Sequence, residues 1–132
     1  MVMTEANGLP ISAFTTSAQV AEVNTIETLV DTQVAGPRTT KLVYDKAADA
    51  DWLRDALAER EVEQVTPHRK GRKKMKRQDG RKLKAYRERW KIERTISWIQ
   101  SHRRLLVRHE VYAHPFQGFL HLACLMICIN RL

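Results

Sequence analysis

A stretch of 27 residues, 82–108, contains neither proline nor glycine, and good helix formers occupy most of its positions. Because nothing in it interrupts a helical backbone, we predict one long α-helix of about seven turns. A helix of that length crosses an entire small domain, so the other elements are expected to pack around it.

One face of this predicted helix carries polar side chains. At 100° per residue, Tyr86 and Gln100 each lie about 20° from Glu93, and Arg89 lies about 40° from it. A carboxylate among cations is a plausible place for a metal ion and a phosphate. The same spacing is typical of an amphipathic helix with an Arg89–Glu93 pair on its solvated face, so spacing alone leaves both interpretations open.

Charge is distributed unevenly along the 132 residues, whose net charge is +8. Residues 1–68 contain five Lys/Arg and eleven Asp/Glu, a net charge of −6, whereas residues 69–132 contain eighteen and four, a net charge of +14. So basic a half is expected to bind a polyanion, with nucleic acid as the first candidate. An anionic membrane surface is a weaker alternative, suggested by Trp90 and Trp98 in the basic half.

The sequence gives no signal for secretion or for a membrane span. The first thirty residues lack a basic start followed by an apolar core, and the apolar run 116–129 is short for a bilayer. Cys124 and Cys128 lie four residues apart in that run, which suits buried thiols in a reducing cell. No CxxC or HxxxH pair supports zinc. We therefore expect no membrane partner and a cytoplasmic protein.

The N-terminal half alternates short β-prone runs with amphipathic segments. An Asn7-Gly8 turn precedes a β-prone run at 9–16, which fits a hairpin or the start of a strand, and a helix follows with Ser17 as a possible N-cap. Its expected apolar face comprises Val20, Val23, Ile26, Leu29 and Val30. Further strands are predicted at 39–44 and 63–67, on either side of a helix at 50–60 that Asp49 could cap. This order predicts an α/β layer with some parallel pairing.

The last predicted helix spans residues 116–132. Its expected core positions are Phe119, Leu122, Ala123, Met126 and Ile127.

Asp45 directly follows the strand predicted at 39–44. Open α/β sheets place their chemistry at the carboxyl ends of strands, which makes Asp45 a candidate site residue. An aspartate before a helix also serves as a turn residue or cap, and the sequence does not separate these roles.

Residues 68–81 form a basic loop with eight Lys/Arg, one aspartate and two glycines. Such a dense run of one charge repels itself unless an anion neutralises it. We interpret the loop as a clamp for the phosphate backbone of nucleic acid, with little sequence preference. The cations expected to bind DNA there are Arg69, Lys70, Arg72, Lys73, Lys74, Lys76 and Arg77.

The spacing of Tyr86, Arg89, Glu93 and Gln100 resembles the Y-(2)-R-(3)-E-(6)-K signature of bacterial insertion-sequence DDE transposases. The text YRERWKIERTISWIQSHRRLLVRHE is similar to the block that surrounds that signature. NGLPIS, DKAADADWLRDALAER and FQGFLHLACLMICINRL resemble other segments of the family, in the same order. The resemblance covers nearly the whole chain.

The resemblance implies an RNase H-like fold and a two-metal site, usually with Mg²⁺, held by two aspartates and a glutamate. Such enzymes cut DNA and join the freed 3′ end to a new site. By position, Asp45 resembles the second aspartate and Glu93 the glutamate, as metal ligands and catalytic residues. Arg89 would contact phosphate with support from Tyr86, and Arg103 and Arg104 would follow the DNA backbone.

Three departures qualify this resemblance. The family's first aspartate lies upstream of the segment that NGLPIS matches, and neither Asp31 nor another residue here matches it. The usual Gly-Asp-Lys-x-Tyr-Asp motif reads Tyr44-Asp45-Lys46-Ala47-Ala48-Asp49, and Gln100 replaces the signature lysine.

We therefore expect residues 1–132 to form a single, incomplete catalytic domain. It would be α/β and partly RNase H-like, with a short mixed sheet, flanking helices, two C-terminal helices and the N-terminal strand or strands missing. DNA would be its partner, in association with the nucleoid. An upstream-encoded segment or a further copy would complete it, and it would be inactive alone. The alternative is a non-enzymatic basic protein that binds nucleic acid.

Overall fold

Short strands and helices alternate in residues 1–34, 36–71 and 73–131, the part of the chain that the computed structural model describes. The strands are β1 (Val2–Thr4), β2 (Pro10–Ala13), β3 (Lys41–Val43) and β4 (Glu63–Val65). The α-helices are α1 (Ile26–Asp31), α2 (Asp51–Glu59), α3 (Trp90–Gln100), α4 (Arg103–Leu106) and α5 (Ala113–Ile129). Three 3₁₀ segments span Glu22–Thr25, Lys46–Ala48 and Lys82–Arg89. The architecture is mixed α/β, as predicted.

Strands β1 and β2 form an antiparallel hairpin around the predicted Asn7-Gly8 turn. Val2 pairs with Ala13 and Met3 with Ser12, and a bulge follows before Thr4. Gly8 has a φ of +92°, in the left-handed region that glycine adopts without steric cost. The turn, β2 and the hairpin alternative are confirmed, although no residues were assigned to β1.

Strands β3 and β4 pair in parallel, with Leu42 opposite Gln64, and α2 forms the crossover between them. The predicted strand–helix–strand order and parallel pairing are confirmed. The predicted cap of α2 is wrong, because Ala50 occupies that position and Asp49 makes other contacts. In the described ranges the strands form two separate two-stranded sheets, where we expected one mixed sheet.

The prediction of one continuous helix at 82–108 is wrong. Lys82–Arg89 is a 3₁₀ segment packed against β3 and β4, and only Trp90–Gln100 is a long α-helix. Among the cations of the 3₁₀ segment, at 82, 84, 87 and 89, only Lys84 and Arg87 have a helical spacing, so packing against β3 and β4, rather than charge repulsion, accounts for the 3₁₀ backbone. Further on, the Ser101 hydroxyl donates to the Trp98 carbonyl at 2.7 Å and His102 is extended, so α3 ends and α4 starts anew. The described C-terminal residues thus form three α-helices where two were expected.

The helix predicted after Ser17 begins later than expected. The Ser17 hydroxyl accepts from the Gln19 amide at 3.3 Å within a turn, and Val20 is exposed. Regular α-helix starts only at Ile26, after the 3₁₀ segment Glu22–Thr25. Ile26 and Leu29 do face the core, as the apolar spacing predicts.

Two apolar clusters lie on opposite sides of the β1–β2 hairpin. The first consists of Met3, Ile11, Ile26, Leu29, Leu42, Ala48, Leu53, Leu57 and Val62. The second consists of Ile99, Leu120 and Ile127, with Val2, Leu9 and Ala13 of the hairpin segment against it. Alternation of side chains along a strand explains how Val2 and Met3 reach different clusters.

Helix α5 begins at Ala113, three residues before the predicted start, because Pro115 falls in its first turn, where a missing amide is tolerated. Ala123 and Ile127 are buried as predicted, but Leu122 is 52% exposed and Met126 is also exposed. Those two core assignments are therefore wrong for this chain. None of the helices in the described residues has the length and hydropathy that a membrane span requires.

Candidate active site and nucleic-acid interface

Asp45 lies two residues beyond the end of β3. Its Oδ1 accepts a hydrogen bond from the Ala47 amide at 2.8 Å, so the carboxylate caps the 3₁₀ segment Lys46–Ala48. The Thr66 hydroxyl donates to the Asp45 carbonyl at 2.5 Å, which joins the ends of β3 and β4. Asp45 thus fills the role of a cap while remaining half-exposed at the carboxyl end of a parallel pair.

Tyr44 precedes Asp45 and links this part of the backbone to Glu22 through its side chain. Its hydroxyl donates to Glu22 at 3.2 Å. Burial, followed by the charge of Glu22, raises the pKa of Tyr44, so the phenol stays protonated and continues to donate.

Glu93 lies on the first turn of α3 and is exposed. Its Oε1 is 2.7 Å from Arg89 Nη2, and the Arg89 guanidinium lies 5.6 Å from the centre of the Tyr86 ring. The predicted Tyr86–Arg89–Glu93 row therefore exists as a chain of contacts. Because Tyr86 lies in the 3₁₀ segment, the helical angles predicted for it do not apply. Gln100 is exposed at the end of α3.

The segment that carries Tyr86 and Arg89 packs along the parallel sheet that carries Asp45. Contacts join Lys82–Arg89 to both β3 and β4, and Lys82 forms an ion pair with Glu63 of β4. Carboxylate oxygens suit hard divalent cations, so Asp45 and Glu93 fit Mg²⁺ in chemical type. Across residues 1–34, 36–71 and 73–131, however, no three Asp, Glu, His or Cys side chains gather as metal ligands.

The described residues of the basic loop 68–81 are irregular, as predicted, and both ends of the loop form hydrogen bonds with residues next to α2 and β4. The Arg69 amide donates to Asp49 Oδ2 at 2.9 Å, and His68 Nδ1 is 3.3 Å from the same oxygen. Near the other end, Gln78 Oε1 accepts from the Thr66 amide at 3.0 Å.

The predicted DNA-binding cations of the loop divide by their contacts. Lys74 and Arg77 form ion pairs with carboxylates of α2. Arg69, Lys70, Lys73 and Lys76 are also exposed but form no side-chain ion pair with another described residue. Arg72 lies outside the described residues.

Arg103 and Arg104 are exposed on α4. Arg104 Nη1 is 2.8 Å from Glu110 Oε1, and its guanidinium lies 5.0 Å from the centre of the Phe119 ring. The hydrogen bond from Arg104 lowers the pKa of Glu110. Arg104 therefore links α4 to the segment before α5, whereas the side chain of Arg103 forms no ion pair or ring contact with another described residue.

Sequence reasoning missed a stack of guanidinium and indole groups on α3. The Arg94 guanidinium lies 4.9 Å from the Trp90 ring and 4.7 Å from the Trp98 ring, and Arg131 covers Trp98 at 3.9 Å. Arg94 also donates to the Asn7 carbonyl at 2.7 Å. The four-residue spacing of Trp90, Arg94 and Trp98 was the available signal.

Comparison with known proteins identifies the class of this chain. The family model described as "Transposase DDE domain" matches residues 1–129. The chain therefore belongs to the DDE transposase family, as the resemblance predicted.

One relative from Burkholderia cepacia is described as "Putative transposase for insertion sequence element IS402". It is 34% identical over 139 residues, which cover 99% of this chain and 62% of the relative. The chain thus spans less than two thirds of that relative's length. No solved structure gives a significant match.

Proposed function

We propose that this chain forms the part of a DDE transposase catalytic domain that holds DNA and supplies two carboxylates, Asp45 and Glu93, to a divalent-metal site. The observation that carries the proposal is the Tyr86–Arg89–Glu93 row, fastened through its 3₁₀ segment to the sheet that ends in Asp45. The fold would be RNase H-like, and the protein would work at the nucleoid.

Asp45 and Glu93 would hold the metal, with Mg²⁺ as the natural ion for carboxylate oxygens. When bound, a pair of such ions would stabilise the attacking and leaving oxygens of a phosphodiester. Arg89, now 2.7 Å from Glu93, would keep that carboxylate oriented and offer its remaining donors to a DNA phosphate. The ring of Tyr86 would limit the positions open to the guanidinium.

Two carboxylates make an incomplete ligand set for two hard cations. We infer that a third comes from a polypeptide segment other than residues 1–132, or from another copy in an oligomer. The isolated chain would then bind DNA without cutting or joining it. Strand transfer by the purified chain with Mg²⁺ would contradict this inference.

The upstream DNA offers a direct test. We would sequence about two hundred bases before the Met1 codon, enough to encode a strand and its aspartate. A matching segment in another frame, with a slippery run at the overlap, would support a transposase completed by frameshifting. Unrelated DNA would indicate a remnant in which DNA binding is the surviving activity.

If the joined protein exists, its cleavage of the element's ends should require both carboxylates. Asp45→Asn and Glu93→Gln should abolish Mg²⁺-dependent cleavage while leaving DNA retention unchanged. Glu59→Gln, an exposed acid on α2, is the control with the same change of charge. Cleavage that survives either site variant would refute the assigned roles.

A non-enzymatic nucleic-acid-binding protein is the second candidate. It is favoured by the exposed basic loop together with the absence of a three-ligand metal group within the described ranges. In that case Asp45→Asn and Glu93→Gln would change nothing, and only loop variants would reduce binding.

A further inference from the structure

Lys74 and Arg77 of the basic loop form ion pairs with carboxylates of α2. Lys74 Nζ is 3.4 Å from Asp51 Oδ2. Arg77 lies 2.8 Å from Asp55 Oδ1 and 3.7 Å from Asp51 Oδ1. The hydrogen bond to Asp55 raises the pKa of Arg77 further, so its charge persists at any physiological pH. Asp51 and Asp55, four residues apart on one face of α2, thus present two carboxylates to the loop.

Three other lysines of the same loop have no such partner. Lys70, Lys73 and Lys76 are exposed, and none of them forms an ion pair with another described residue. All of these side chains are on the surface, but Lys74 and Arg77 are paired with α2 whereas the three lysines are not. Of these five side chains, only those three lysines are available to an incoming polyanion without breaking a contact.

Hydrogen bonds that do not involve Asp51 or Asp55 also hold the loop. Asp49, whose side chain is only 4% exposed, accepts from the Arg69 amide, and Gln78 accepts from the Thr66 amide. These hydrogen bonds hold both ends of the loop. Removing the carboxylates of Asp51 and Asp55 would therefore release Lys74 and Arg77 without detaching the loop.

We propose that Asp51 and Asp55 occupy the place of two phosphates, so that the loop meets a polyanion with Lys70, Lys73 and Lys76 while Lys74 and Arg77 contribute nothing. The pairs are exposed and hence weak, but each withholds one cation from counterion exchange on DNA. The acidic face of α2 thereby limits non-specific binding. The inference rests on the proposed function only in taking DNA as the polyanion.

The test measures the Kd for a duplex of arbitrary sequence between 50 and 200 mM salt, about the range in which phosphate contacts dominate. Asp51→Asn/Asp55→Asn should steepen the slope of log K against log salt by about 1.8, since each released cation that reaches a phosphate adds about 0.9. Glu59→Gln/Glu61→Gln makes the same change of charge on exposed acids that form no ion pair in the described part of the chain. It should leave the slope unchanged.

A second pair of variants keeps the proposal testable if the first misfolds. Lys70→Ala/Lys73→Ala should reduce the wild-type slope by about 1.8, whereas Lys74→Ala/Arg77→Ala should leave it unaltered. Equal slope losses in these two variants would overturn the division of the loop. Equal salt slopes for Asp51→Asn/Asp55→Asn and Glu59→Gln/Glu61→Gln would also overturn it.

Heparin separates failure of this inference from failure of the proposed function. A basic surface binds heparin whatever the protein does with DNA. If wild-type protein had no affinity for duplex DNA, the proposed function in DNA binding would be refuted. Later elution of Asp51→Asn/Asp55→Asn than of Glu59→Gln/Glu61→Gln from heparin would still support the inference, and coincident elution would refute it.

Discussion

Replacing Thr95 by valine should destabilise the protein through one hydrogen bond that joins distant parts of the chain. Thr95 lies on α3, two residues from Glu93, and its side chain is fully buried. Its hydroxyl lies 2.5 Å from the carbonyl oxygen of Gly8 in the hairpin turn and 3.1 Å from that of Lys91. Valine keeps the shape of threonine and removes only the donor.

The expected cost follows from what is left behind. Gly8 is buried, so its carbonyl would lose the Thr95 donor in a place that water does not readily reach. An unsatisfied buried acceptor costs about 1–3 kcal/mol, and the apolar methyl of valine offsets a part of it. At roughly 4 °C per kcal/mol for a domain of this size, Tm should fall by about 4–12 °C.

Urea unfolding followed by circular dichroism would measure the effect as a lower midpoint at an unchanged slope. Thr28→Val is the matched control, because Thr28 is exposed on α1 and should change the free energy of unfolding by less than about 0.5 kcal/mol. If Thr95→Val and Thr28→Val have the same urea midpoint, the hydrogen bond to Gly8 does not stabilise the packing of α3 against the hairpin.

Three further predictions concern the same framework. Gly8→Ala should cost more than about 1 kcal/mol in urea unfolding, because φ is +92° and a Cβ would lie 3.0 Å from Arg94 Nη2; wild-type stability would refute this. Leu57→Ala should cost about 2–5 kcal/mol, whereas Leu122→Ala on the exposed face of α5 should cost under about 0.5, and equal losses would contradict the observed burial. Burial raises the pKa of Cys124 to about 11. An unfolded thiol has a pKa of about 8.5. The stability that Cys124 contributes should therefore be complete below that pH and be lost as pH rises through 11. In Cys124→Ala, the urea midpoint should decline less steeply over this pH range.

Local signals in the sequence identified most elements and failed where contacts at a distance decide the backbone. The Asn7-Gly8 turn, the parallel strands and α2 follow from turn chemistry and apolar spacing. The 3₁₀ segment Lys82–Arg89 does not, because its packing on β3 and β4 depends on residues that are distant in the sequence. Asp49 was assigned as a cap, yet it holds the basic loop, a partner twenty residues further along the chain.

The candidate site shows the same division. The short-range Arg89–Glu93 pair was readable from spacing of four residues, and the structure contains it. The pairs between α2 and the basic loop join residues more than twenty positions apart, so no periodic pattern reveals them. The roles of Asp45 and Glu93 as metal ligands stay predictions from the family resemblance.

The hairpin that separates the two apolar clusters has a consequence for cooperativity. Met3 and Ile11 belong to one cluster, while Val2 and Leu9 contact the other, so neither cluster can open without exposing one face of the same two strands. The hairpin amides should therefore exchange their hydrogens at the rate set by the less stable half of the molecule. Because both clusters share these two strands, global unfolding should begin in the less stable half of the molecule.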